Sequence, residues 1–296
     1  MAFDVTKIKA YVDEQKIPLL KKTIFGAESV KDFNKQLGVK YKDALNILTV
    51  SAPLADGSTC GFTASGDDAF SQRILEVKPL KVNKEWCPKA LLNYWNGYLV
   101  NVGATRQNLP FEEYLTSEVI KNVNEQIEKM AWVGDTELGV KGIIDIATAE
   151  TEVVDVTLEA GQSAYDKIMA VYNAIPSEVL DKAVIYVGLD MFRSFVQDMV
   201  TKNLYHYSAG EGTDVKAEFI IPGTSTRIKA ANGLNGTKKI VAVNPAEVFV
   251  GTDMLDDNEV YDMWFDQSSR TYRMDIEFNF GVQIAFPNRV VLGKEA

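Results

Sequence analysis

The clearest periodicity lies at residues 111–132. There Phe111, Leu115, Val119, Val123, Ile127 and Ala131 recur at every fourth position, flanked by Tyr114 and Met130, while Glu112, Glu113, Lys121, Glu125, Glu128 and Lys129 take the other faces. Apolar residues four apart share one face of an α-helix, so the spacing predicts one amphipathic helix, roughly 33 Å long at 1.5 Å per residue. Pro110 stands before it and Trp132-Val133-Gly134-Asp135 ends it, with Gly134 at the place of a left-handed helix stop. The segment VKGIIDIAT, residues 140–148, reads as a strand.

From Asn46 to Trp86 the pattern is strand-like: NILTV, STCGF, a polar tip ASGDD, then RILEVKPLKV with Ile74, Leu75, Val77, Leu80 and Val82. This predicts a two-stranded ribbon whose tip, Ser65-Gly66-Asp67-Asp68, has hairpin-turn chemistry, and whose return limb carries Pro79 as an edge strand would. A ribbon of two strands is marginal alone in water and needs covering. Before it, Val5, Ile8 and Val12 mark a short helix interrupted by Pro18, and Leu19, Leu20 and Ile24 form only a small apolar cluster. That arm needs a body or a neighbour to lie on.

Residues 89–101 read as a helix, as do 163–175 and 190–204, the last with Phe192, Phe195, Val196, Met199 and Val200 inward. AVIYVG at 183–188 reads as a buried strand, and from Ala217 onward strands and turns dominate. Helices and strands without regular βαβ alternation predict an α+β fold.

With 296 residues, 46% of them hydrophobic and 24% charged, the chain has material for one large or two modest domains. Cys60 and Cys87 are too few for a disulfide framework. The net charge of -10 argues against a surface that neutralises phosphates, and it is unevenly placed. Residues 1–42 hold nine lysines, no arginine and five acids, net +4, so the remainder carries -14. The early lysines Lys7, Lys9, Lys16, Lys21 and Lys22 alternate with acids and apolar residues, a pattern suited to an acidic neighbouring subunit. The N-terminus has acids and no apolar core of a secretory signal, and no apolar run approaches the roughly 18 residues of a membrane span.

Catalytic signatures are sparse. The single histidine, His206, excludes an HExxH site; Gly210 and Gly212 begin a glycine loop that Val215 does not complete; and no GxxxxGK[ST] occurs. Asp253, Asp256, Asp257, Glu259 and Asp262 crowd together, but a calcium loop beginning at Asp253 would meet Leu255 at a ligand position and Asn258 at its glycine. They read as a solvated loop facing a partner, with a metal-dependent hydrolase as the alternative. No catalytic, cofactor or metal residue is assigned.

The order of parts is itself informative: a terminal arm, a ribbon with a polar tip, and a long helix ending in an aromatic-x-Gly-Asp element (Trp132, Gly134, Asp135) followed by Gly142-Ile143-Ile144. It resembles the tailed-phage major capsid proteins of the Hong Kong 97 type, and FNFGVQIAFPNRVVL looks like their closing strands. The resemblance implies an N-terminal arm (1–45), an extended loop (46–88), a peripheral domain (89–150) with its spine helix at 111–132, an axial domain (151–261) and return strands (262–296) shared by both. It implies rings of six and five in an icosahedral virion shell, assembled in a bacterial cytoplasm, that encloses double-stranded DNA without reading its sequence. Portal, scaffolding and possible decoration proteins are the implied partners. Candidate contacts between subunits are the five early lysines, Gly66, Asp67, Asp68, Ile74, Leu75 and Val77. Some members of that family cross-link by a Lys to Asn isopeptide bond; Lys78, Lys81 and Lys84 lie in the expected ribbon, yet no partner asparagine or catalytic glutamate is identifiable and no cross-link is predicted. An encapsulin-like nanocompartment shell shares the same architecture.

Overall fold

A computed structural model describes residues 15–16, 18–54, 66, 68–87, 111–204, 218–253 and 260–295, with side chains of the long helix from Leu115 onward. The expected helix at 89–101, His206, Gly210 and Gly212, Lys7, Lys9, Asp67, Asp256, Asp257 and Glu259 lie outside the described residues.

In chain order the strands and helices are β1 (Asn34–Leu37), β2 (Lys42–Thr49), β3 (Ala69–Glu76), β4 (Lys78–Trp86), α1 (Phe111–Val133), α2 (Ile143–Ala149), β5 (Val154–Leu158), α3 (Ala164–Ala174), β6 (Val184–Val187), α4 (Leu189–Thr201), β7 (Glu218–Ile220), β8 (Arg227–Ala230), β9 (Ile240–Val243), β10 (Val248–Thr252), β11 (Val260–Asp266), β12 (Thr271–Ile284) and β13 (Val291–Glu295). The long helix forms where its spacing predicts. Leu115, Val119, Val123, Ile127 and Ala131 are buried on its inner face. They pack in one core with Tyr272, Met274, Ile276, Phe278 and Phe280, alternate residues of β12.

β12 organises a five-stranded sheet in the order β1-β10-β12-β11, with β4 also paired to β12. β11 and β4 both pair with residues 272–277, so they lie on opposite edges of β12. This divides the expected ribbon. Only residues up to Glu76 pair with β2, while Lys78–Trp86 leaves the ribbon for the main sheet. The break falls at Val77, and Gly281 of β12 makes room for it: a Cβ there would stand 2.1 Å from the Glu76 carbonyl oxygen. Among the described strands β4 borders only β12, the edge position that Pro79 requires.

A six-stranded sheet follows the order β5-β13-β9-β6-β8-β7. β6 and β9, VIYV and IVAV, are buried on both faces, which is why they are unbroken apolar runs instead of alternating ones. Val184, Tyr186, Val241 and Val243 face the core that holds α1. Ile185, Val187, Ile240 and Ala242 face the one that includes residues of α3 and α4. β10 and the first two residues of β11, which the sequence boundaries place in 151–261, are hydrogen-bonded into the five-stranded sheet instead.

Three expectations are corrected. Residues 143–149 form a helix, not a strand: Ile143, Ile144, Ile146 and Ala147 are buried together, and the Asp145 carboxylate accepts from the Gly142 N–H at the helix start. Packing of one helical face overrides the β-branched composition. On α4, Phe195 and Met199 are buried with Phe192 half-buried, whereas Val196 and Val200, one position further round the helix, are exposed. The described part of the arm lies on a body, one of its two expected supports: Leu19, Leu20, Ile24, Ala27, Val30 and Phe33 are buried in the α1 core and β1 runs parallel to β10. Glu128, read as part of a polar face, is buried.

Candidate functional site

The site that the fold builds is a surface. β2 and β3 pair antiparallel from Lys42↔Glu76 to Thr49↔Ala69, and directly paired residues share a face. Leu45, Ile47 and Leu75 are turned inward and buried, Leu45 and Leu75 clustering with Val39, Val77 and half-buried Phe249. Ile74, Leu48 and Phe70 lie on the other face and are 57%, 53% and 81% exposed. Between them Gln72 donates to Asn46 at 2.8 Å, tying the two strands across that face.

Of the residues expected to reach a neighbour, then, Ile74 is available while Leu75 and Val77 are not. Their contacts are internal, against Gly251, where a Cβ would come within 2.9 Å of both. The alternation of a strand places residue 74 opposite residues 75's side, a distinction that an apolar run alone does not reveal. At the tip, Gly66 has φ +92° and lies against Ser51, so a side chain is excluded there; Asp68 is exposed. Lys16 is half-buried, and Lys21 and Lys22 are exposed on the helical turns of residues 18–24.

The other expected element is the end of α1. The Gly134 N–H donates to the Met130 carbonyl at 2.9 Å, closing the helix at φ +79°. Asp135 and Val140 exchange two backbone bonds of 2.8 and 2.9 Å, and the Asp135 carboxylate accepts from the Glu137 and Leu138 N–H groups. A Cβ on Gly134 would stand 2.5 Å from the Asp145 carboxylate and 2.6 Å from the Gly142 nitrogen. The Trp-x-Gly-Asp element and the glycine after it are thus one tight joint between α1 and α2. Gly134→Ala is expected to lower the unfolding free energy by at least ~2 kcal/mol, from the left-handed backbone and the overlapping methyl together, as measured by urea unfolding.

No protein-family profile and no curated protein sequence matches the chain. Its shape, however, is shared with known structures. A chain of the satellite phage P4 procapsid, solved with the size determination (Sid) protein, is 10% identical with a TM-score of 0.62, the match covering 98% of this chain and 97% of that one. For Gordonia phage Cozz the values are 11%, 0.59, 90% and 86%. The chain has a tailed-phage capsid fold. The virus-like particle of Pyrococcus furiosus shares the same capsid fold, at 10% identity and a TM-score of 0.56, with 99% of this chain and 100% of that one covered.

Within the capsid fold, the acidic run does not assemble as a described site. Asp253 is buried after β10, and Asp262 is half-buried on β11 with its carboxylate accepting from the Met263 N–H. The residues that sequence reasoning missed are Ser29 and Glu128. Trp132, fully buried, donates its indole N–H to the Ser29 hydroxyl and to the Glu128 carboxylate, both at 3.1 Å. Its ring lies 4.8 Å from that of Tyr186 and 5.8 Å from that of Phe33. The one available signal was the spacing of Glu128 and Trp132, four apart and so on neighbouring turns.

Proposed function

We propose that the chain is the major capsid protein of a tailed phage, a structural subunit without a catalytic site that assembles through copies of itself into a closed virion shell. The observation that carries this reading is the two-faced ribbon: Leu45, Ile47 and Leu75 are covered by the subunit, while Leu48, Phe70 and Ile74 stand in water. An apolar face on a two-stranded sheet is a partner surface by its energetics. When it meets a different surface of the next copy the contact is head to tail, and such contacts close into rings where the rotation fits. Rings of six and five, as in an icosahedral shell, follow from the resemblance.

In this reading β2–β3 is the extended loop, the five-stranded sheet with α1 is the peripheral domain, and the six-stranded sheet with α3 and α4 is the axial domain. Exposed Lys21 and Lys22, with Lys7, Lys9 and Lys16, are proposed to face acidic surface of a neighbour. The -14 carried outside residues 1–42 suits a wall that encloses double-stranded DNA without gripping it. Portal, scaffolding and decoration proteins are the partners proposed from the capsid fold. A nanocompartment shell of encapsulin type is the second reading, favoured by the end-to-end match with the Pyrococcus furiosus particle. The contents distinguish the two, genome against packaged protein. Negative-stain electron microscopy of the purified chain is expected to reveal closed particles or their ring-shaped pieces; a monodisperse monomer under all assembly conditions would overturn both readings.

A further inference from the structure

Residues 18–33 form a strap across α1, pinned near its C-terminal end at two points, Ser29 and Asp32. At Ser29 the backbone N–H donates to Glu128 Oε2 at 3.0 Å, and the hydroxyl donates to Oε1, which also receives the Trp132 indole. At Asp32 the carboxylate pairs with Lys229 of β8 and accepts from the Tyr186 hydroxyl at 3.5 Å. Glu128 thus joins strap to helix, and Asp32 joins strap to the six-stranded sheet. Between strap and helix lies a cavity of about 420 Å³, lined by Lys22, Gly26, Lys121, Asn124, Glu125 and Glu128 among others, although Glu128 itself stays buried.

The surroundings of Glu128 do not favour a charge. It is only 3% exposed, and the hydrogen bonds it accepts come from neutral donors. From the strap, Glu28 and Asp32 are of like sign, and Lys22 is exposed at the cavity mouth. From its own helix, Lys121 and Glu125 are exposed and opposite in sign. From the sheet, Lys229 is taken by Asp32, Arg227 pairs with Glu218, and Tyr186 is neutral. We propose that Glu128 is a proton-operated catch for the strap, holding at acidic pH and slackening as the pH rises.

The direction follows from linkage. Burial, with Glu28 nearby, holds the Glu128 carboxyl above the ordinary carboxylate range. The closed strap therefore binds the proton more tightly than the open one. Its hold is complete below the ordinary carboxylate range and is lost as the pH rises through the raised value. In the neutral acid the O–H donates to the Ser29 hydroxyl, which rotates to accept. Loss of the proton leaves a buried charge without a cation, and opening to water relieves it. Opening would uncover Leu19, Leu20, Ile24, Val30 and Phe33, the strap's own side chains now buried in the α1 core. This inference concerns the single subunit and does not depend on the shell reading.

The test is hydrogen exchange of the full, unassembled chain from about pH 5 to about pH 8, following strap peptides relative to β9 peptides in the same sample to cancel the intrinsic pH dependence. Strap exchange is expected to rise with pH relative to β9, with a slope of at most about tenfold per pH unit, the limit for titration of a single group. Glu128→Gln is expected to abolish that dependence while exchanging faster throughout, because an amide cannot accept all three bonds. Asp32→Asn is expected to keep it. A wild-type strap that tracks β9 at every pH would overturn the proposal, and that measurement needs no variant to fold. So would an unchanged dependence in Glu128→Gln.

Discussion

Trp132→Ala is expected to cost about 3–5 kcal/mol of unfolding free energy, as measured by urea denaturation. The indole is fully buried at the meeting point of α1, the strap and β6, so its removal leaves a cavity that three elements would have to close together. Its aromatic neighbours come from two of them, Phe33 meeting it edge-on from the strap side and Tyr186 at a tilt from β6. Polar loss adds to the apolar one, because Glu128 then keeps only the Ser29 donors. Trp132→Phe separates the two terms: it retains most of the ring contact and loses the N–H, for an expected ~1–3 kcal/mol. A loss below ~1 kcal/mol in the alanine variant would mean that the junction is not a shared core.

The same junction shows how much of the fold was legible in the sequence. The periodicity of α1, its stop at Gly134 and the placement of Trp132 could all be read, because a helix repeats its environment every turn and a left-handed stop demands glycine. What the indole touches could not. Ser29 reaches Glu128 across 99 positions, and apart from its place four residues before Trp132 nothing local distinguishes Glu128 from its solvated neighbours Glu125 and Lys129. The ribbon divided in the same way. Alternation and turn residues revealed strands on both sides of Gly66, but the return limb changes partner at Val77, pairing with β2 before it and with β12 after it. A change of partner some 200 residues away leaves no trace in local pattern, except for Pro79, whose missing N–H marks an edge. Residues 143–149 mislead for a related reason: isoleucines at 143, 144 and 146 fit either a buried strand or one face of a short helix, and only their packing decides.

The second large effect is expected at the ribbon, and it separates assembly from folding. Phe70→Asp combined with Ile74→Asp is expected to leave the subunit folded, with an unfolding free energy within ~0.5 kcal/mol per site of wild type, because both side chains already face water. The same change is expected to abolish closed particles. In a contact with a second copy each aspartate would be desolvated without a partner, a penalty repeated at every subunit of a ring, whereas on the isolated ribbon it costs little. Leu75→Asp, one residue away, is expected to behave in the opposite manner and unfold the base of the ribbon, since Leu75 is fully buried among Val39, Leu45 and Val77. Circular dichroism with urea reads the folding, and sedimentation with negative-stain microscopy reads the assembly. Normal particles from the Phe70 and Ile74 double variant would remove the exposed face from the contact. Soluble, folded Leu75→Asp subunits would remove the assignment of inward and outward faces on which the whole argument for a neighbouring copy depends.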